Sequence, residues 1–117
     1  MKSFISCVFL FLMISSCAQS KEKHITEFSQ KDAESGILVD VRTADEYTAG
    51  HIENAQNINW FDEDFSKQFE TISKDKTIYV YCKMGGRSAK AAHLLDSLGY
   101  KNVINLIGGY DAYAKSK

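Results

Sequence analysis

The sequence predicts a single small α/β domain, with a central, mostly parallel sheet flanked by helices. Three observations lead there. Short, continuous apolar runs recur at Ile37-Leu38-Val39, at Thr77–Tyr81 and across residues 103–107. Runs of this kind, without clean alternation, suit strands buried on both faces of a parallel sheet. Amphipathic helical stripes separate them, and strands alternating with helices define the α/β class. The length of 117 residues leaves room for one domain.

The first segment stands outside that domain. Met1-Lys2-Ser3 is short and basic, and residues 4–14 are almost entirely apolar. This pairing has the form of a secretory signal. Eleven residues of helix rise only about 16 Å, far short of a ~30 Å hydrocarbon core, so the segment does not read as a membrane span. Ile14-Ser15-Ser16-Cys17 resembles the lipobox of bacterial lipoproteins, in which the cysteine is lipidated and becomes the new N-terminus. The expectation is a signal peptide over 1–17, a polar tether over 18–24 and the folded domain over 25–117. The protein would then face the periplasm from a membrane of the bacterial cell envelope. An ordinary cleaved signal, ending near Ser16, Ala18 or Ser20, would instead give a secreted or periplasmic protein.

Within the domain, Ile37-Leu38-Val39 follows Gly36 and ends at Asp40, as a buried strand would. A weaker strand is expected over 55–58. Phe61, Phe65, Phe69 and Ile72 form a helical apolar stripe, and Asp62, Glu63 and Asp64 sit where a first turn favours negative charge. Thr77–Tyr81 is the second strong strand. Ala91, Leu94, Leu95 and Leu98 fall at i, i+3, i+4 and i+7, on one helical face, and Gly99 is a natural stop. Val103, Ile104, Leu106 and Ile107 make the third strand, closed by Gly108-Gly109. The chain has no proline, so its turns rely on Gly, Asn, Asp and Ser.

Composition narrows the function. The net charge is −1 and no cluster of Lys and Arg interrupts it. A nucleic-acid partner is therefore not expected, since displacing counterions from phosphates takes clustered cations. Of three cysteines, Cys7 and Cys17 lie in the N-terminal segment, leaving Cys82 alone in the domain. No internal disulfide can form there, and no Cys/His spacing suggests a metal. No cofactor is implied. His24 and His93 have no partner spacing and read as solvated.

The segment that carries chemistry is Tyr79-Val80-Tyr81-Cys82-Lys83-Met84-Gly85-Gly86-Arg87-Ser88. A strand delivers a cysteine to its C-terminal end, a glycine-bearing turn follows, and a helix begins. Ligands bind beyond the carboxyl ends of strands in open α/β sheets. Gly85 and Gly86 let the backbone curl so that successive N–H groups point inward. The helix N-terminus adds unpaired N–H groups, and Lys83 and Arg87 add full positive charges. All of these favour a thiolate, the nucleophilic form of cysteine. A buried, inert cysteine closing a strand is the competing reading for an isolated thiol.

These residues resemble a known family. The run from Cys82 to Ser88 is similar to the CxxGxR(S) loop of single-domain rhodaneses. Upstream, Leu38-Val39-Asp40-Val41-Arg42-Thr43, Asp45-Glu46-Tyr47 and Gly50-His51-Ile52 resemble that family's DVR, EY and GHI signature. Downstream, Gly108-Gly109-Tyr110 is similar to its GG motif. The resemblance implies a rhodanese-like fold and sulfur transfer in two steps. Cys82 would attack the outer sulfur of thiosulfate or a similar small anion, become a persulfide, and pass that sulfur to a thiol, a protein or another nucleophile. Backbone N–H groups of Lys83, Met84, Gly85, Gly86, Arg87 and Ser88 would cradle the sulfur, with Lys83 and Arg87 attracting the donor. Asp40, Arg42, Glu46 and His51 would form a supporting polar network. Arg42 and Glu46, at i and i+4, could also simply pair. Glu53 stands where that family often has proline, and Tyr113 roughly where it often has tryptophan.

Three other functions compete. Cysteine phosphatases have five residues between cysteine and arginine, whereas Cys82 and Arg87 have four. The tighter loop suits one sulfur atom better than a tetrahedral phosphate. A non-catalytic binding module would need neither Cys82 nor Arg87. A sulfur or redox relay between proteins would differ in its partners and not in the chemistry of Cys82.

Overall fold

The computed structural model describes residues 21–117. The signal-peptide and lipobox assignments, Cys17 included, lie outside those residues. The three apolar runs become β2 (Ile37–Asp40), β4 (Thr77–Tyr81) and β5 (Asn102–Ile107). A two-residue strand, β3 (Gln56–Asn57), falls inside the weaker stretch expected at 55–58. The sheet also holds β1 (Lys21–His24), which pairs in parallel with β5 from Lys21 opposite Ile104 to His24 opposite Ile107. Residues 21–24 are therefore sheet and not tether. Their alternating charges hid an edge strand, whose outer side needs no apolar residues.

All strand pairs are parallel, in the order β1-β5-β4-β2-β3, so β4 lies at the centre. Its side chains alternate between two cores, as strand geometry requires. Ile78, Val80 and Cys82 face one, with Phe65, Phe69, Ala91, Ala92, Leu95 and Val103. Tyr79 and Tyr81 face the other, with Ile25, Leu38, Ile52 and Leu106. Helix α4 (Gly86–Ser97) and the short α3 (Phe65–Gln68) cover the first face. Helices α1 (Gln30–Ser35), α2 (Ala44–Ala49) and α5 (Gly109–Lys115) lie over the second.

Two expectations change in the helices. Over residues 61–72 only Phe65–Gln68 is helical; Phe65, Phe69 and Ile72 are core, but Phe61 is 65% exposed. Turns occupy the rest of that stretch, so the stripe reflects burial more than continuous helix. In α4, Leu95 is fully buried, whereas Leu98 caps the helix at 40% exposure. Gly99, at φ +97°, then reverses the chain, with Gly99 N–H donating to Asp96 O and Tyr100 N–H to Leu95 O. That is the paired closure glycine permits after a helix.

Candidate active site

β4 ends at Tyr81, and Cys82 follows with its side chain 2% exposed against the α4 face. The loop then turns sharply. Gly85 takes φ +121°, a conformation costly for any residue with a Cβ, and caps α4. This turn carries the Gly85 N–H back to Cys82 Sγ, at 3.0 Å. The buried Ser88 hydroxyl lies 3.4 Å from the same sulfur and 3.2 Å from Gly85 O. Burial pushes the Cys82 thiol up, but the Ser88 hydroxyl and the amides of Ser88, Gly85 and Met84 outweigh it, holding the thiol below its ordinary value. These donors are fixed before the proton leaves, so the anion requires little reorganisation.

A second clamp lies under the loop. Tyr110 N–H donates to Cys82 O at 2.8 Å, and Asp111 N–H to Lys83 O at 3.1 Å. The start of α5 thus fixes the two carbonyls that set the direction of the loop. Gly109 allows this approach: it sits at φ +64°, and a Cβ there would overlap the Lys83 carbonyl. Sequence reasoning noticed the double glycine only as a strand terminator and as a family motif. It missed Asp111 altogether, whose carboxylate holds Lys83 Nζ at 2.8 Å.

The expected network of Asp40, Arg42, Glu46 and His51 resolves into separate parts. Arg42 and Asp40 form a buried ion pair, with Arg42 Nη2 to Asp40 Oδ2 at 2.7 Å and Nε bridging both carboxylate oxygens. Arg42 also donates to Gly50 O and lies over the Tyr110 ring, so it ties α2 and α5 to the sheet. Arg42 does not pair with Glu46. Glu46 instead meets Arg87 through two parallel bonds, at 2.7 and 3.0 Å. A residue two positions past a strand end is within reach of Asp40, while the helix start turns Glu46 toward the loop. Glu46 also accepts from Thr43 N–H in a capping box at the start of α2. Arg87 foremost, with Thr43, holds the Glu46 carboxyl down at about 2, against the pull of burial.

His51 stands apart from both pairs. It is exposed, stacked on Tyr47 at 3.7 Å, with Nδ1 2.8 Å from Tyr47 O. A carbonyl only accepts, so Nδ1 carries the proton there. His93 is exposed as expected, but His24 is half-buried, bonds Thr26 and packs against Gly108. Met84 and Gly86 are exposed at the loop's outer side. Tyr113 lines a cleft of about 230 Å³ with Phe28, Ile52 and Lys117, which includes no residue of the Cys82 loop.

The fold is thus a parallel α/β sheet with a buried thiol just past the end of its central strand, met by the Gly85 amide and the Ser88 hydroxyl. Comparisons with known proteins narrow the class. The profile of the rhodanese-like domain matches residues 23–116, and the chain belongs to that family. A sulfurtransferase of Allochromatium vinosum is 36% identical over 84 residues, covering 72% of this chain and 77% of that protein. A putative mitochondrial thiosulfate sulfurtransferase of Schizosaccharomyces pombe is also 36% identical, over 65% of this chain and 61% of its own length. An adenylyltransferase and sulfurtransferase of Candida albicans matches 85% of this chain, which spans only 21% of that protein. Among solved structures, a rhodanese-like domain protein of Staphylococcus aureus superimposes with a TM-score of 0.70 at 32% identity, covering 80% of this chain and 90% of that one. Each of the first three relatives is named as a sulfurtransferase, and the chain spans between 21% and 77% of their lengths.

Proposed function

We propose that this protein transfers sulfane sulfur through a persulfide on Cys82. The observation that carries the reading is the convergence of the Gly85 amide and the Ser88 hydroxyl on Cys82 Sγ, 3.0 and 3.4 Å away. With thiosulfate as donor, the Cys82 thiolate attacks the outer sulfur and the S–S bond breaks. Sulfite leaves with the electron pair of that bond, and the terminal sulfur of the new persulfide anion occupies the mouth of the loop. An acceptor such as cyanide or a thiolate then attacks that terminal sulfur, and the Cys82 thiolate departs unchanged. No general base is invoked, because the donors around the attacking sulfur favour its anion.

The physiological acceptor in this reading is a thiol or a protein. The N-terminal segment supports an envelope location, with Cys17 carrying the lipid. The test of the chemistry is intact mass spectrometry after incubation with thiosulfate. The parent is expected to gain one sulfur, to lose it on addition of cyanide, and Cys82→Ser to gain none. A parent that stays at its original mass with every sulfane donor refutes the reading.

A further inference from the structure

Both cations of the active-site loop are already partnered. Glu46 takes both terminal nitrogens of Arg87, and Asp111 takes Lys83. The two pairs sum to zero charge at the rim of a site whose donors favour the anion of Cys82. The pairs are unequal, however. Lys83 and Asp111 are about half exposed, where an ion pair contributes little and exchanges readily. Arg87 and Glu46 are 22% and 29% exposed, and the capping box anchors Glu46 independently at Thr43. Glu46 therefore cannot swing aside without losing both of its carboxylate's bonds from Thr43. An incoming dianion would have to compete with a fixed carboxylate for the Arg87 guanidinium.

The same rim is apolar. Met84 is 72% exposed, and Phe61, 65% exposed, places its ring 5.8 Å from the Arg87 guanidinium carbon. Side chains of this kind gain from covering an apolar body and gain nothing from a small, strongly hydrated anion.

Building on the Cys82 sulfur-transfer reading, we propose that Glu46 is a specificity-determining residue: by neutralising Arg87 it makes the site favour a singly charged sulfane donor with an apolar body, the thiosulfonate class, over dianionic thiosulfate. The step balances as before. Cys82 thiolate attacks the terminal sulfur of the thiosulfonate, the S–S bond breaks, and a sulfinate anion leaves with its electron pair. Glu46 acts through Arg87 and touches no reacting atom.

The test compares thiosulfate, methanethiosulfonate and benzenethiosulfonate as donors to cyanide. Each kcat/KM is divided by that donor's own rate with a small free thiolate, which removes intrinsic reactivity. The parent is expected to rank benzenethiosulfonate first and thiosulfate last. Glu46→Gln keeps the capping box, since glutamine serves at that position, and removes the charge. It should raise kcat/KM for thiosulfate about three- to tenfold, mainly through KM, and for methanethiosulfonate only about two- to threefold. Its thiosulfate KM should also climb more steeply with salt than the parent's, a response that lost packing would not produce. Phe61→Ser, at an exposed position, should lower the ratio of benzenethiosulfonate to methanethiosulfonate independently. Corrected rates that favour thiosulfate in the parent, or a donor ratio unmoved by Glu46→Gln, overturn the proposal. Failure of every donor to load Cys82 overturns the sulfur-transfer reading instead.

Discussion

Removing the Ser88 hydroxyl isolates one of the donors that hold the Cys82 sulfur as an anion. A hydrogen bond to a charged group contributes about 1.5–3 kcal/mol. At 3.4 Å from Sγ, with Gly85 O competing for its single proton at 3.2 Å, this one belongs at the low end. Each pKa unit is about 1.4 kcal/mol, so Ser88→Ala should raise the Cys82 pKa by about one unit. The backbone donors remain, which keeps the thiol from reverting fully. Two effects on alkylation by a neutral reagent then oppose each other. Below the pKa the thiolate fraction falls about tenfold, while a more basic thiolate is about threefold more nucleophilic at a Brønsted slope of about 0.4–0.5. The acid limb of the rate profile should slow about three- to fourfold, and the alkaline plateau should rise about threefold. Alanine is a better helix former than serine, so α4 should persist and thermal unfolding should shift little. Coincident acid limbs and plateaus for parent and Ser88→Ala would refute the role assigned to the hydroxyl.

Two further outcomes follow from the fold, and a third from the N-terminal sequence. Gly109→Ala places a Cβ against the Lys83 carbonyl at a left-handed φ, and should cost about 3 kcal/mol or more in urea unfolding while raising the Cys82 pKa. The carboxyls of Glu46 and Asp32 are both held at about 2 in the fold, Glu46 by Arg87 and Asp32 by Lys23, against about 4 when unfolded. Their stabilisation is complete above pH ~5 and lost as pH falls toward 2; discounted for partial exposure, it should appear as roughly 1–2 kcal/mol less stability at pH 3 than at pH 5. Asp32→Asn should flatten part of that slope, and a pH-independent stability would contradict both pairs. Cys17→Ser should abolish incorporation of labelled fatty acid into the full chain; equal labelling of parent and variant, or none in either, would favour an ordinary cleaved signal.

What the sequence made legible follows its physics closely. β2, β4, β5 and α4 each bury a continuous run or a full helical face, so their apolar residues betray them. β1, α1, α2 and α5 are four to seven residues long and packed on one side, too short for a period to repeat. In α1 and α2 the signal is a capping pair, Ser29 with Asp32 and Thr43 with Glu46, which needs only four residues to be seen. At the site, the turn around Cys82 was readable because a strand, two glycines and a helix adjoin it in sequence. The partners of its charges were not. Glu46 is 41 residues from Arg87 and Asp111 is 28 from Lys83, and local spacing favoured Arg42 for Glu46. Phe61 was misplaced for a related reason, since an apolar residue at helical spacing reads as core whether or not helix reaches it.

The clamp from α5 ties the reactivity of one atom to completion of the whole domain. Cys82 leaves the ribosome well before Gly109, Tyr110 and Asp111, and until those residues dock, the carbonyls of Cys82 and Lys83 have no fixed direction. During synthesis, and in any chain cut short of residue 109, the thiol should behave as an ordinary one, slow to react near neutral pH. On the persulfide reading, the donors that favour the thiolate are thus assembled only when the last helix docks. Timed labelling of stalled chains would read tertiary assembly directly from the chemistry of that sulfur.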